Sequence, residues 1–341
     1  MLYWHDPWAE RHAELRLFLG ALGLYGLTRL QGLSQKAQQY LTLAGSIYCT
    51  VGLAIILVLG INSPPTNPIP WAAGMTLVSC WLLGISFKRT SSWTRWLALA
   101  GSIAGLLAVL ASQKRGAYGL LIVLPYIAWF LWRRQNKCQP RTAQTGKSWA
   151  IYAACIVLGA ASLWSLRSTP LIQRPSSAIT IALQELRHSQ TSMVDNYNTS
   201  VGARLYLWLQ SVQAAVESPW IGYGHDQRKE LLQKWANDTH LAEPLVFGHV
   251  HNDYLHAMLD HGLWGLASFL SYTAGLIVLM FKLARHQSWP NAATLSGILI
   301  MHVTTAISNV NFAHNYYPTL LSLMIGITLW STGQPETTKA P

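Results

Sequence analysis

Apolar residues run through this chain in blocks. Nine stretches, at residues 13–29, 40–61, 68–87, 93–112, 116–132, 148–166, 255–281, 290–308 and 316–331, approach the roughly 20 apolar residues that a helix needs to cross a bilayer, and they predict membrane-spanning helices. Glu14 and Arg16 interrupt the first, which leaves an amphipathic helix lying in the interface as its other reading. Trp93, Trp96, Trp132, Trp149, Trp289 and Trp330 fall near block ends, where indole rings favour the headgroup layer. Between the sixth and seventh blocks the pattern turns amphipathic. Ser176-Ser177 is positioned to cap a helix reaching about Leu186, with Ile179, Leu183 and Leu186 on one face. Residues 203–217 carry Leu205, Leu209, Val212 and Val216 at helical spacing, and Pro219 stops them. These two helices either lie flat on the membrane surface or pack against the spans.

Composition strengthens this picture. The 341 residues are 51% hydrophobic and only 11% charged, against roughly 25% charged in ordinary globular domains. With the blocks and 16 tryptophans, this excludes a soluble, disordered or nucleic-acid-binding chain and points to an all-α polytopic membrane protein. The net charge of +11 is then a matter of topology. Arg29 and Lys36; Lys88, Arg89 and Arg95; Arg133, Arg134, Lys137, Arg141 and Lys147; and Lys282 and Arg285 lie in alternate connections, 12 of the 24 basic residues with no acidic residue among them. The positive-inside rule makes these connections cytoplasmic. Three parts follow: N-terminal transmembrane helices over 1–166, an outer loop with amphipathic helices over 167–254, and C-terminal transmembrane helices with a short cytoplasmic tail over 255–341. Nine spans with a cytoplasmic C-terminus put the N-terminus outside, yet Asp6, Glu10 and Glu14 are the wrong flank for a signal peptide. Either the first segment does not cross, or the chain begins downstream of where a longer relative would. None of the four cysteines falls in the outer loop, so no disulfide framework is expected there.

Chemistry concentrates in three places. Lys114-Arg115-Gly116 puts two cations in a tight outer turn, against the positive-inside bias, as a ligand site would; snorkelling to lipid phosphate is the alternative. Arg204 opens the amphipathic helix. The third is Gly248-His-Val-His-Asn-Asp-Tyr-Leu-His-Ala-Met-Leu-Asp-His-Gly-Leu-Trp-Gly265, which sets His251 and Asn252 at the outer mouth of a span. A helix N-terminus attracts anions and opposes protonation of a nearby imidazole, which keeps that group competent as a base. Six of the 12 histidines lie between His225 and His261, but His256 and His261 are five apart, one more than a zinc helix requires, so no metal is expected. His314 and Asn315 face outward near the same mouth as possible sugar ligands. His302 reads as a satisfied core histidine. Arg167 and Arg174 read as headgroup contacts, and Asp226, Arg228, Lys229 and Glu230 as a solvated turn and helix start.

His251-Asn252, nine residues, then Gly262-Leu-Trp-Gly265 resembles the signature of bacterial O-antigen ligases, in the superfamily shared with O-antigen polymerases and O-linked protein glycosyltransferases. Ser112-Gln-Lys-Arg115-Gly-Ala resembles the family's Ser-x-x-Arg-Gly turn, and Arg204, Trp208 and Pro219-Trp-Ile-Gly-Tyr-Gly224 its segment leading to a Pro-x-x-Gly-x-Gly turn. The resemblance implies about a dozen transmembrane helices with a large periplasmic loop, in the bacterial inner membrane. It implies a metal-independent, inverting glycosyltransferase without cofactor, moving glycan from undecaprenyl diphosphate to a sugar hydroxyl of lipid A-core. By the same resemblance Arg115 and Arg204 meet the diphosphate and His251 deprotonates or orients the acceptor hydroxyl. Lys114, Asn252, His249 and His314 are the expected substrate-binding residues. An O-antigen polymerase shares the donor and is the nearest alternative. An O-linked protein glycosyltransferase and a lipid-linked glycan transporter are further ones, although the paired repeats or broken helices of transporters are not evident.

Overall fold

The computed structural model describes residues 33–138, 200–239 and 248–331, apart from 61, 62, 65, 89 and 315. The expected spans 13–29 and 148–166, the expected helix near 176–186, and Arg167, Arg174 and Asn315 lie outside the described residues. Within them the chain is all α-helical, as its pattern predicts. Nine α-helices follow in order: α1 Gln35–Leu59, α2 Pro68–Ser86, α3 Ser92–Ala111, α4 Leu120–Cys138, α5 Ser200–Glu217, α6 Gly224–Thr239, α7 Asp253–Arg285, α8 Trp289–Ser308 and α9 Tyr316–Trp330. Of these α1, α2, α3, α7 and α8 are long and apolar enough to cross a membrane, and α9 is apolar but shorter. Polar caps set several starts. Ser34 Oγ accepts from Ala37 N and Ser91 Oγ from Thr94 N, while Asn67 Oδ1 accepts from Ile69 N ahead of Pro68. Each supplies one of the acceptors that the first turn of a helix lacks.

α2 is the hub. It is buried on every side from Pro70 to Ser86 and touches α1, α3, α4, α8 and α9. A helix that is apolar all round must sit in such a place. Its 19 residues span about 28 Å at the helical rise, close to the thickness of the bilayer core. By contrast Ile47, Val51, Leu57 and Val58 of α1 and Leu270, Val278 and Phe281 of α7 are exposed, as lipid-facing residues are. Between α1, α2 and α3 there is little driving force from apolar burial alone, because lipid is as apolar as the core, and close backbone packing substitutes for it. Gly101 of α3 lies so near Ser46 that an added Cβ would come 2.5 to 2.8 Å from its atoms. Ser46 Oγ donates to Leu97 O at 3.1 Å, and Ser102 Oγ to Ser79 O at 2.9 Å.

The helix directions alternate, which gathers basic residues at one end. There Lys88 Nζ donates to Ser331 Oγ at 2.8 Å, Arg95 Nε to Ser86 O at 3.2 Å, and the Arg134 guanidinium stacks 3.8 Å over the Trp289 ring. Lys282 and Arg285, in the last turn of α7, belong to the same belt. α4 starts at Leu120, later than its apolar block at 116, because Arg115–Ala117 closes into a 3-10 turn at the opposite end. That opposite end also holds residues 248–252 and the α8–α9 connection.

The close approach at Gly101 yields a direct expectation. Gly101→Ala lowers the thermal midpoint in detergent, by about 1–3 kcal/mol of overpacking strain. Gly275→Ala, where nothing lies within 4 Å of the added carbon, leaves it unchanged or slightly raised.

Candidate active site

α7 has 33 residues and would be about 50 Å long if straight, well beyond what a crossing needs. Contrary to the sequence reading, in which no broken helix is evident, it is broken at Gly262, whose φ of 61° and ψ of −149° leave the helical region. In an unbroken helix Leu263 N would donate to Leu259 O. Here both groups are given to the turn after α5: Tyr223 N donates to Leu259 O and Leu263 N to Pro219 O, each at 2.7 Å. The turn's own Gly222 has φ 67°, and an added Cβ would come 2.5 Å from Leu259 O and 2.7 Å from Gly262 N. A Cβ on Gly262 would in turn strike the Trp220 backbone, and one on Gly265 the Ala257 carbonyl across the break. Pro219–Gly224 and Gly262–Gly265, two separate motifs in sequence, therefore form one interlocked structure. Ser218 Oγ, donating to Gly222 O, and Tyr223 OH, donating to Ala214 O, brace the turn against α5.

The break sets the height of the loop before α7, and side chains then pin that loop residue by residue. Arg228 Nη1 donates to Gly248 O. Trp208 Nε1 donates to Val250 O at 2.9 Å, and Val250 is fully buried among Ala203, Leu207, Leu232 and Leu259. Asn252 Oδ1 caps α7 by accepting from Tyr254 N and Leu255 N at 3.0 and 3.1 Å. The buried Asp253 carboxylate accepts from Asn311 N at 3.0 Å and Phe312 N at 3.3 Å, which ties α7 to the α8–α9 connection. Between these anchors His251 adopts φ 54°, a left-handed conformation that histidine tolerates better than most residues.

The expected site residues are partly collected by this frame. The His249 and His251 rings meet edge to face with centroids 4.5 Å apart, and His314 lies 6.1 Å from His249. Lys114 is half-buried in the turn that leads into Arg115–Ala117. That turn rests on the end of α8, where an added Cβ on Gly116 would strike Ser308 Oγ. The Arg115 side chain lies outside the described residues. Arg204 stands half-buried on α5, one turn before Trp208. Burial, reinforced by the neighbouring His251, His256, His314 and Arg228, pushes the His249 pKa down to about 3, so its ring is neutral at pH 7. Burial also lowers His314 and Lys114. His249 Nδ1 and His314 Nε2 are buried without a protein hydrogen-bond partner, as groups awaiting a ligand would be.

One further sequence reading needs correction. Arg228 is not part of a solvated helix start: it is 2% exposed and paired to Asp260 Oδ1 at 2.5 Å, with His225 Nδ1 2.8 Å from its Nη2. The second Asp260 oxygen lies 3.4 Å from His256 Nε2. The spacing of Arg228, Leu232 and Trp235 on one buried helix face was the available signal. Of the two placements read for α5, packing of its apolar stripe against the spans is not what the structure shows. Leu209, Val212 and Val216 are 56%, 51% and 74% exposed, and the buried face is Ala203, Leu207, Ser211 and Ala214. His302 is buried as expected but only half-satisfied, with Nδ1 3.2 Å from Tyr317 OH.

Residues 100–270, half of the chain, match the model of the O-antigen ligase family. The chain belongs to that family. The family's window runs from α3 to the middle of α7, so it contains the interlock at Gly262 and the histidine loop, and it leaves out His314. The chain is also similar to an uncharacterized protein of Haemophilus influenzae, at 27% identity over 242 residues. That match covers 67% of this chain and 56% of the relative, so the chain spans little more than half the relative's length.

Two outcomes follow from the geometry. Gly222→Ala and Gly262→Ala each lower the thermal midpoint, by about 1–3 kcal/mol of backbone strain. Because the two glycines share one contact, the double variant loses less than the sum. The second concerns acid. His249 titrates near 6.5 in the unfolded chain and near 3 in the fold, so the unfolded chain binds the extra proton and stability falls as pH drops from 6.5 towards 3. Melting curves of His249→Gln across that interval should fall less steeply than those of the parent.

Proposed function

We propose that this protein is an O-antigen ligase, with its site at the end of the bundle opposite the basic belt. The observation that carries the reading is the pinned loop that presses His251 against a neutral His249, with His314 beside them. Basic belts mark the cytoplasmic side, which puts this end in the periplasm if the protein sits in the inner membrane. Residues 1–166 and 255–341 would then be the membrane parts and 167–254 the outer segment.

In the reaction a sugar hydroxyl of lipid A-core attacks the anomeric carbon of the glycan on undecaprenyl diphosphate. The new C–O bond forms as the bond to the phosphate oxygen breaks, the configuration inverts, and undecaprenyl diphosphate leaves with the electron pair. His251 takes or orients the hydroxyl proton. Arg115 and Arg204 offset the charge developing on the diphosphate, a role suited to a guanidinium that binds phosphate in a fork and never loses its proton. Lys114 adds a cation, while His249 and His314 offer ring nitrogens to sugar hydroxyls. Asn252 has committed its oxygen to the helix cap, so sugar binding would fall to its amide nitrogen and its main service is to hold the loop. The exposed stripe on α5 fits substrates that are both lipid-anchored and arrive sideways from the membrane.

The test is transfer by purified protein in detergent, supplied with undecaprenyl-diphosphate glycan and lipid A-core, beside His251→Ala. The expected result is glycan on lipid A-core, with turnover reduced by roughly 10²-fold or more in the variant, the scale of a lost general base. Longer glycan still attached to the carrier would instead make the protein a polymerase, and equal turnover in His251→Ala would remove the proposed base.

A further inference from the structure

The Arg228–Asp260 pair has no part in the chemistry proposed above, and its burial calls for a reason. Taking two charges out of water costs more than a surface pair returns, and apolar residues of similar size often serve stability as well. What apolar residues cannot do is hold a carbonyl. The Arg228 guanidinium uses all three of its nitrogens: Nε on Asp260 Oδ1 of α7, Nη2 beside His225 Nδ1 of its own helix, and Nη1 on Gly248 O. Gly248 O belongs to the peptide that joins Gly248 to His249, and Gly248 itself has φ 68°, with open space where a Cβ would stand. The next tether along the loop is Trp208 on Val250 O, and the next the Asn252 cap. Arg228 is thus the first of three anchors and fixes the side of the loop that enters His249.

Resting on the glycan-transfer reading, we infer that Arg228, held in register by Asp260, is a positioning residue for the His249–His251 pair. It aims the loop through the Gly248 carbonyl and touches no substrate. The His256 ring lies behind Asp260, with Nε2 3.4 Å from the second carboxylate oxygen. A planar fork is required for this, since an ammonium is a point charge that would serve Asp260 but not Gly248 O and His225 together.

Arg228→Lys is therefore the informative variant. It keeps the charge opposite Asp260, so the thermal midpoint should stay near the parent's. Amide hydrogen exchange at residues 248–252 should quicken. With undecaprenyl-diphosphate glycan and lipid A-core as substrates, kcat should fall about 10²-fold, the scale of a misplaced reacting group, while KM for the donor stays put. Unchanged exchange at 248–252 overturns the inference, and so does a kcat like the parent's or a loss that merely tracks a lowered midpoint. Should the lysine variant fail to fold, Arg228→Met with Asp260→Leu removes both charges together, and the same exchange and kcat results are expected. A parent protein that transfers no glycan refutes the ligase reading, whereas an active parent whose Arg228→Lys loop exchanges normally refutes only this one.

Discussion

Everything at the functional end of this protein hangs on one broken hydrogen bond. The carbonyl of Leu259 and the amide of Leu263 are natural partners within a helix, and a foreign turn has come between them. Neither group is left unsatisfied, because Tyr223 N and Pro219 O replace what each has lost at 2.7 Å. An unpaired backbone group in an apolar setting costs several kcal/mol, so α7 can be broken here only by something that restores both bonds at once. The consequence is rigid docking: α5 cannot move along α7 without uncovering a pair of backbone groups.

On that docked frame the histidine loop is strung between elements that belong to different parts of the chain. α6 holds Gly248, α5 holds Val250, α7 is capped by Asn252, and the α8–α9 connection grips Asp253. Alternate carbonyls are taken by one guanidinium and one indole, long side chains whose donors are fixed relative to rigid planes. An imidazole in a left-handed backbone conformation needs such over-determination, since the conformation would not persist in a free loop.

Much of this was legible in the sequence, for identifiable reasons. Apolar blocks predicted α2, α3, α8 and α9 within a residue or two of their ends, because a helix in lipid must be apolar over a fixed length and little else competes. The histidine loop was found through its motif, whereas Asn252 reads there as a sugar ligand, its place before a span being the unused signal for a cap. What escaped was long-range pairing. Arg228 beside Asp226, Lys229 and Glu230 has the local look of a solvated turn, and its partner Asp260 is 32 residues away. For α5 the sequence leaves two placements open, and periodicity alone does not choose between them: the buried face is Ala203, Tyr206, Leu207, Ser211 and Ala214, while the stripe of Leu209, Val212 and Val216 is exposed.

The interlock at Gly262 also bears on how such a chain can change over time. Its two bonds run from main chain to main chain, so they are blind to the identity of Trp220, Ile221, Tyr223 and Leu263. Substitutions there leave the joint intact, provided the two glycines remain and the spacing from Pro219 to Tyr223 still matches that from Leu259 to Leu263. Inserting or deleting a single residue in either half would shift one bond past the other and cannot be rescued by any side chain. Drift in composition is thus cheap at this joint, and drift in length is close to forbidden.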